Sequence, residues 1–280
     1  MYKLFCSDIS RLLKLTSFRL CAVLVLLGNS LNIAQECHAV KGYDYTFELK
    51  YMCIGVLIES TVVIGNLIGS DYSQSTVRNK IIAGYSRFEV FLSNWMTSFI
   101  CVLFYTTETF LAICVSGHIC GGVYSYPCEK TIGLAFLCLL LCAVLASFFT
   151  AWYMLVSVQS TAMTVSLIAI FVGAVLGAGI LTSLVSTESF DDKDHIAESV
   201  VISENDLSAG YPADTDRDKT RDRHQDVNTI VEMVCIISPV SHFLGVDDKE
   251  FLPANITAMT VEIMLFFIGG YHVFKNRDIK

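Results

Sequence analysis

Runs of apolar residues long enough to cross a bilayer recur along the whole chain, and they constrain its fold more than any other feature. A helix needs about 20 apolar residues to span the hydrocarbon core. Such runs lie near 20–36, 51–70, 93–116 and 256–273, the third entered through an interfacial stretch at 87–92. Residues 131–186 are apolar throughout and too long for one helix, and the polar cluster Ser157, Gln159, Ser160 and Thr161 divides them in two. The expected fold is therefore all-α: a polytopic integral membrane protein with six transmembrane helices. The charged fraction of 16% against roughly 25% in soluble domains agrees with lipid as the solvent.

Charge sets the expected orientation. Lys3, Arg11, Lys14, Arg19, Arg78, Lys80, Arg87, Lys275, Arg277 and Lys280 flank one set of span ends, against Lys41, Lys50 and Lys130 on the other. The positive-inside rule then places both termini and the 71–92 loop in the cytoplasm. Residues 1–19 read as an amphipathic interfacial helix, with Leu4, Phe5, Ile9, Leu12, Leu13 and Leu15 as its stripe and cations that suit an anionic leaflet. The alternative is a polar extension of the first span. The net charge of −8 belongs mostly to residues 187–228, with twelve acidic side chains and five basic ones. This acidity sits in one expected outer loop, 187–255, and does not suggest a nucleic-acid partner. Within that loop, 229–245 is apolar but broken by Pro239, which suits a re-entrant or interfacial segment.

Several chemistries lack their residues. The sequence holds no GxxxxGK[ST] phosphate loop, no HExxH and no GxSxG. It has no CxxC, and its eleven cysteines and six histidines show no zinc spacing, so neither a metal site nor a catalytic residue is expected. Cys120 and Cys128 share one short loop and could pair in an oxidising space or remain free thiols. Glu59, Glu108 and Glu262 sit at membrane depth. A carboxylate there is costly and must face protein or water, so Glu59 and Glu108 are candidates for a translocation pathway or for packing. Gly65 and Gly69 in the second span, and Gly173 and Gly177 in the fifth, let helix backbones approach closely.

The most informative stretch is the loop between the second and third spans, residues 71–87. Asp71 or Ser73 can cap a short helix there and Gly84 can end it. Its sequence holds Asp71-Tyr72, then Ser75-Thr76-Val77-Arg78-Asn79-Lys80, then Gly84-Tyr85-Ser86-Arg87. This order resembles the permease subunits of type-2 ABC transporters, a bacterial exporter family. In that family an acidic-aromatic pair precedes a Gly/Ser-Thr-x-Arg-Asn run and a Gly-x-Ser-Arg. Ser75 stands where the family usually has Gly. The closing Tyr271-x-x-Phe274-Lys275-x-Arg277-Asp278 is similar to the family's F-x-x-R/K-D ending.

The resemblance implies the membrane half of an exporter. A separate cytoplasmic ABC ATPase subunit would bind ATP and magnesium, and this chain would carry no cofactor of its own. Asp71, Tyr72, Thr76, Arg78, Asn79, Lys80, Gly84 and Arg87 would form the ATPase-coupling helix. A second permease chain, identical or related, would complete the pathway in the plasma membrane. Drugs, peptides and lipids all occur as substrates in the family. Two other classes stand beside this one: a membrane sensor or adaptor reading through its acidic outer loop, and a membrane-embedded hydrolase.

Overall fold

The first break in the chain is a single residue. Helix α1 (Tyr2–Lys14) and helix α2 (Thr16–Ala39) are separated by Leu15, whose backbone is extended at φ −66° and ψ 124°. The amphipathic helix thus ends at Lys14 rather than at residue 19, and Thr16–Arg19 belong to the apolar helix that follows. Phe18 explains why: its ring packs 5.0 Å from Phe104 and 5.5 Å from Tyr105, drawing this turn into the bundle.

The computed structural model describes residues 1–156, 160–168 and 251–276. After α2 come α3 (Thr46–Ser73), α4 (Thr76–Ile82), α5 (Arg87–Ile119) and α6 (Cys128–Leu155). The chain is helical again at 160–168, and α7 (Phe251–Asn276) is the last element described. Among the described residues the architecture is all-helical. The interfacial stretch expected at 87–92 is instead the first turn of one continuous helix. Ser86 and Glu89 form a reciprocal capping box at its start, satisfying the amide groups that a helix beginning leaves open.

Among the described residues, four helices are long and apolar enough to cross a membrane: α2, α5, Thr131–Leu155 of α6 and Ile256–Asn276 of α7. They turn large apolar side chains outward, among them Leu24 and Leu31 on α2, Leu111 on α5, Ile132 on α6 and Leu265 on α7. A water-soluble monomer does not tolerate apolar exposure on that scale, and this chain is a membrane protein. Gly173, Gly177, the acidic 187–228 segment, the 229–245 segment and Arg277 with Asp278 lie outside the described residues.

Helix α5 is the hub and packs against all six other labelled helices. Its buried face is small and hydroxyl-rich: Ser93, Asn94, Thr97, Ser98, Thr106 and Thr109 alternate with Phe91, Cys101, Val102 and Tyr105. Small residues let backbones approach, and Ser/Thr hydroxyls find partners without water. Thr97 and Thr106 donate back to the carbonyls of Ser93 and Val102, at 2.8 and 2.9 Å. Other bonds cross between helices. Trp95 Nε1 donates to Ser147 Oγ at 2.9 Å, Thr150 Oγ1 to Ser98 Oγ at 3.1 Å, and Tyr105 Oη to the Phe18 carbonyl at 3.0 Å.

Candidate functional site

The turn between α3 and α5 is built by two left-handed residues. α3 runs through Asp71 to Ser73, so neither Asp71 nor Ser73 caps the short helix that follows. Ser75 precedes α4 instead, with φ 55° and ψ 22° and no side-chain cap. A side chain is disfavoured in that conformation, and glycine is the usual occupant. Gly84 does end α4 as expected: its φ is +95°, its N–H reaches the Ile81 carbonyl at 3.0 Å, and the Tyr85 N–H reaches the Lys80 carbonyl at 3.3 Å.

The residues of this turn divide between two faces. Gln74, Arg78, Asn79, Ile82, Ala83 and Gly84 are exposed, Ile82 at 72%, while Tyr72, Thr76 and Arg87 are half-buried. Asp71 and Lys80 point the other way and are buried. Lys80 Nζ donates to Asp71 Oδ2 at 3.0 Å and to Asp8 Oδ1 at 2.9 Å. Arg11 closes the cluster, with its Nη1 2.5 Å from Asp71 Oδ1 and 3.7 Å from Asp8 Oδ1. The second Asp8 oxygen accepts from Ser93 Oγ at 2.7 Å. Two acids and two bases are thereby matched in the space between α1, α3, α4 and α5. Burying charge is costly without such pairing.

Asp8 is the member that motif reasoning misses. The signal was available: Leu4, Asp8 and Leu12 follow one another at helical spacing on the buried face of α1, so an acid stands in the middle of an apolar stripe. On the opposite side, Phe5, Ile9 and Leu13 with Cys6, Ser10 and Lys14 line an open groove along the helix.

The last helix reaches the same turn. Arg87 Nη1 donates to the carbonyls of Phe274 at 3.2 Å and Lys275 at 2.8 Å, covering acceptors that the end of α7 leaves open. Phe91 packs edge-on to Phe267 at 5.2 Å, and Phe88 to Tyr271 at 5.3 Å. The terminal amine of Met1 lies 3.5 Å from Glu89 Oε1. The start of the chain, the α4 turn and the end of α7 therefore share one end of the bundle.

The remaining candidates lie deeper. Glu59 on α3 and Glu108 on α5 come within electrostatic reach of one another. Each is half-buried and keeps one oxygen away from solvent with no hydrogen-bond partner among the described residues. Glu262, on α7, is half-buried. Gly65 and Gly69 are both buried on α3. A Cβ at Gly65 would fall 2.7 Å from Met163 Cγ and 2.9 Å from Tyr153 Cζ, so this glycine admits the Tyr153 ring, whose hydroxyl donates to the Thr61 carbonyl at 2.8 Å. Cys120 is an exposed free thiol. No group of three or more potential metal ligands occurs among the described residues. No protein-family model matches the chain, and no curated protein matches it.

Proposed function

We propose that this protein is the permease subunit of an ATP-binding cassette exporter, driven by a separate ATPase that docks on the exposed face of α4. The observation that carries this reading is the division of the turn into two faces. Arg78, Asn79 and Ile82 are presented outward, while Asp71 and Lys80 anchor the same short helix inside the bundle. A cation, an amide and an apolar side chain on a seven-residue helix anchored through Lys80 make a small contact of the kind a soluble motor can push against. The order of motifs through 71–87 and 271–278 supports the same reading.

In this mechanism ATP and magnesium are held by the partner, and a second permease chain completes the pathway. Six spans follow if α3 and the segment beginning at 160 cross the plasma membrane with the four long apolar helices. Glu59 and Glu108 then both lie within the bilayer, close enough for one charge to be felt by the other. A pair of carboxylates at that depth favours a substrate carrying positive charge. The termini and α4 lie on the cytoplasmic side.

The test is co-purification with the ATPase encoded nearest to this chain, followed by ATP-dependent efflux from vesicles. Arg78→Glu is expected to abolish stimulated ATP hydrolysis while insertion stays normal. Normal ATPase capture and normal efflux by this variant would remove α4 as the docking helix.

A further inference from the structure

We infer that Asp8 is a positioning residue for α4, and that the Asp8–Lys80–Asp71–Arg11 cluster makes α1 and α4 one mechanical element. This rests on the docking role of α4 for its consequence, but the linkage itself is a property of the isolated chain.

The α4 helix is too short to hold its own shape. Seven residues lie well below the length at which an isolated helix is stable in water, and its start carries the left-handed Ser75 with no side-chain cap. Its position comes from tertiary contacts. Val77 is buried, and Lys80, one turn further on, is held by two carboxylates from two other helices. Asp71 belongs to α3, to which α4 is already joined by the chain. Asp8 belongs to α1 and is 72 residues away in sequence from Lys80. It is therefore the contact that adds a new body to the turn.

Four helices receive whatever moves Lys80, three of them through direct side-chain bonds of the cluster. Asp71 passes it to α3. Asp8 passes it to α1 and, through the single extended residue Leu15, on to α2. Ser93, bonded to the other oxygen of Asp8, passes it to α5, the hub. A displacement of α4 thus reaches α1, α2, α3 and α5 together. Charge balance makes the link tight. The two acids match the two bases, and removing any one charge leaves an uncompensated buried partner.

The balance also supplies a test that a merely structural contact would fail. Lys80→Met leaves two carboxylates facing Arg11 alone. Asp8→Asn leaves two cations facing Asp71 alone. The double variant restores neutrality with one Arg11–Asp71 pair. Hydrogen exchange is measured on the full chain in lipid nanodiscs, without any ATPase. Lys80→Met is expected to speed exchange of the α1 amides by about tenfold or more, since the opening of α1 tracks its local stability. Amides in the middle of α6 serve as the internal control. Adding Asp8→Asn is expected to slow α1 exchange back toward the wild-type rate.

Unchanged α1 exchange in Lys80→Met would overturn the linkage. So would a double variant that exchanges faster than Lys80→Met, because losses then simply add. If Lys80→Met does not fold, Ser93→Ala is the second variant; it deletes only the bond to Asp8 Oδ2. It is expected to speed α1 exchange by about two- to fivefold, and no change would also count against the inference. Adding the ATPase to the wild-type chain is a separate arm. Slower α1 exchange on docking at α4 supports transmission through the cluster. Failure of the ATPase to bind, with the Lys80 and Asp8 results intact, removes the docking reading and leaves the linkage standing.

Discussion

Arg87 Nη1 lies 2.8 Å from the carbonyl oxygen of Lys275, although 188 residues separate the two in sequence. The guanidinium sits just past the α4 turn, and the carbonyl lies at the end of the last helix. One cation thereby closes α7 onto the first turn of α5. Its Nη1 carries two N–H groups, which serve the neighbouring Phe274 and Lys275 carbonyls together, and the charge strengthens both bonds. Replacing Arg87 with Gln is expected to lower stability by about 1–2 kcal/mol and to speed amide exchange in the last turn of α7. Unaltered thermal unfolding and unaltered exchange at 271–276 would mean that the aromatic contacts of Phe88 and Phe91 hold this end by themselves.

Ser75 and Gly84 bracket α4 with positive φ values of 55° and 95°. Ser75 bears a strain that glycine would not. Ser75→Gly is expected to stabilise the protein by about 0.5–1 kcal/mol, the left-handed cost of a side chain less the extra entropy that glycine loses on folding. Gly84→Ala is expected to destabilise it by about 1 kcal/mol by the same argument. Opposite signs in thermal unfolding of the two variants check the pair; equal signs would contradict the assigned backbone.

Gly65 carries a prediction from space alone. A methyl group there would meet Met163 and the Tyr153 ring at less than van der Waals distance. Gly65→Ala should force Tyr153 away from the Thr61 carbonyl and cost about 1–3 kcal/mol. Combining it with Tyr153→Phe should cost less than the sum of the two, because the hydrogen bond can be lost only once. Strict additivity would show that the ring and the glycine do not share this contact.

Glu59 and Glu108 are testable as a pair. If they line the pathway, Glu59→Gln should lower efflux of cationic compounds by about tenfold relative to neutral ones, since one charge within a low-dielectric site is worth over a kilocalorie per mole. Glu108→Gln in the same background should add little, because the two carboxylates serve one site. Equal efflux of charged and neutral compounds by both variants would return them to packing.

The loop at the opposite end of the bundle should respond to acid. Asp44 accepts from the Thr46 N–H at 3.0 Å, and the Val123 N–H reaches the Tyr43 carbonyl at 2.9 Å, joining two loops. Slight burial works against ionisation of Asp44, but hydrogen bonds from Ser125 and Thr46 outweigh it and hold the carboxyl below its ordinary range. A lowered carboxyl contributes stability above its unfolded value, about pH 4, and loses it as the pH falls through the folded value. Near-ultraviolet dichroism of the neighbouring tyrosines should therefore change below about pH 4. Asp44→Asn should flatten that profile, and an unchanged profile would assign the transition to another group.

Hydropathy and short local motifs were enough to identify the solvent and some of the helix boundaries. Apolar runs of spanning length dictate helices in a membrane wherever they occur, because unsatisfied backbone groups cannot face hydrocarbon. Gly84 could be read as a helix stop because only glycine takes a left-handed backbone at no cost. The capping box at Ser86 and Glu89 was equally local, and its spacing alone could have extended α5 back to Arg87. The meetings between distant residues were not legible until the helices packed. Lys80 reads as one more cation of a polar loop, yet it is buried between Asp8 and Asp71. Arg87 reads as the end of a motif, yet it holds the end of α7. Glu59 and Glu108 read as separate acids, yet they share one neighbourhood. Helical period tells which face of its own helix a residue occupies. It does not tell which other helix that face will meet, and that is settled only when the helices pack around α5.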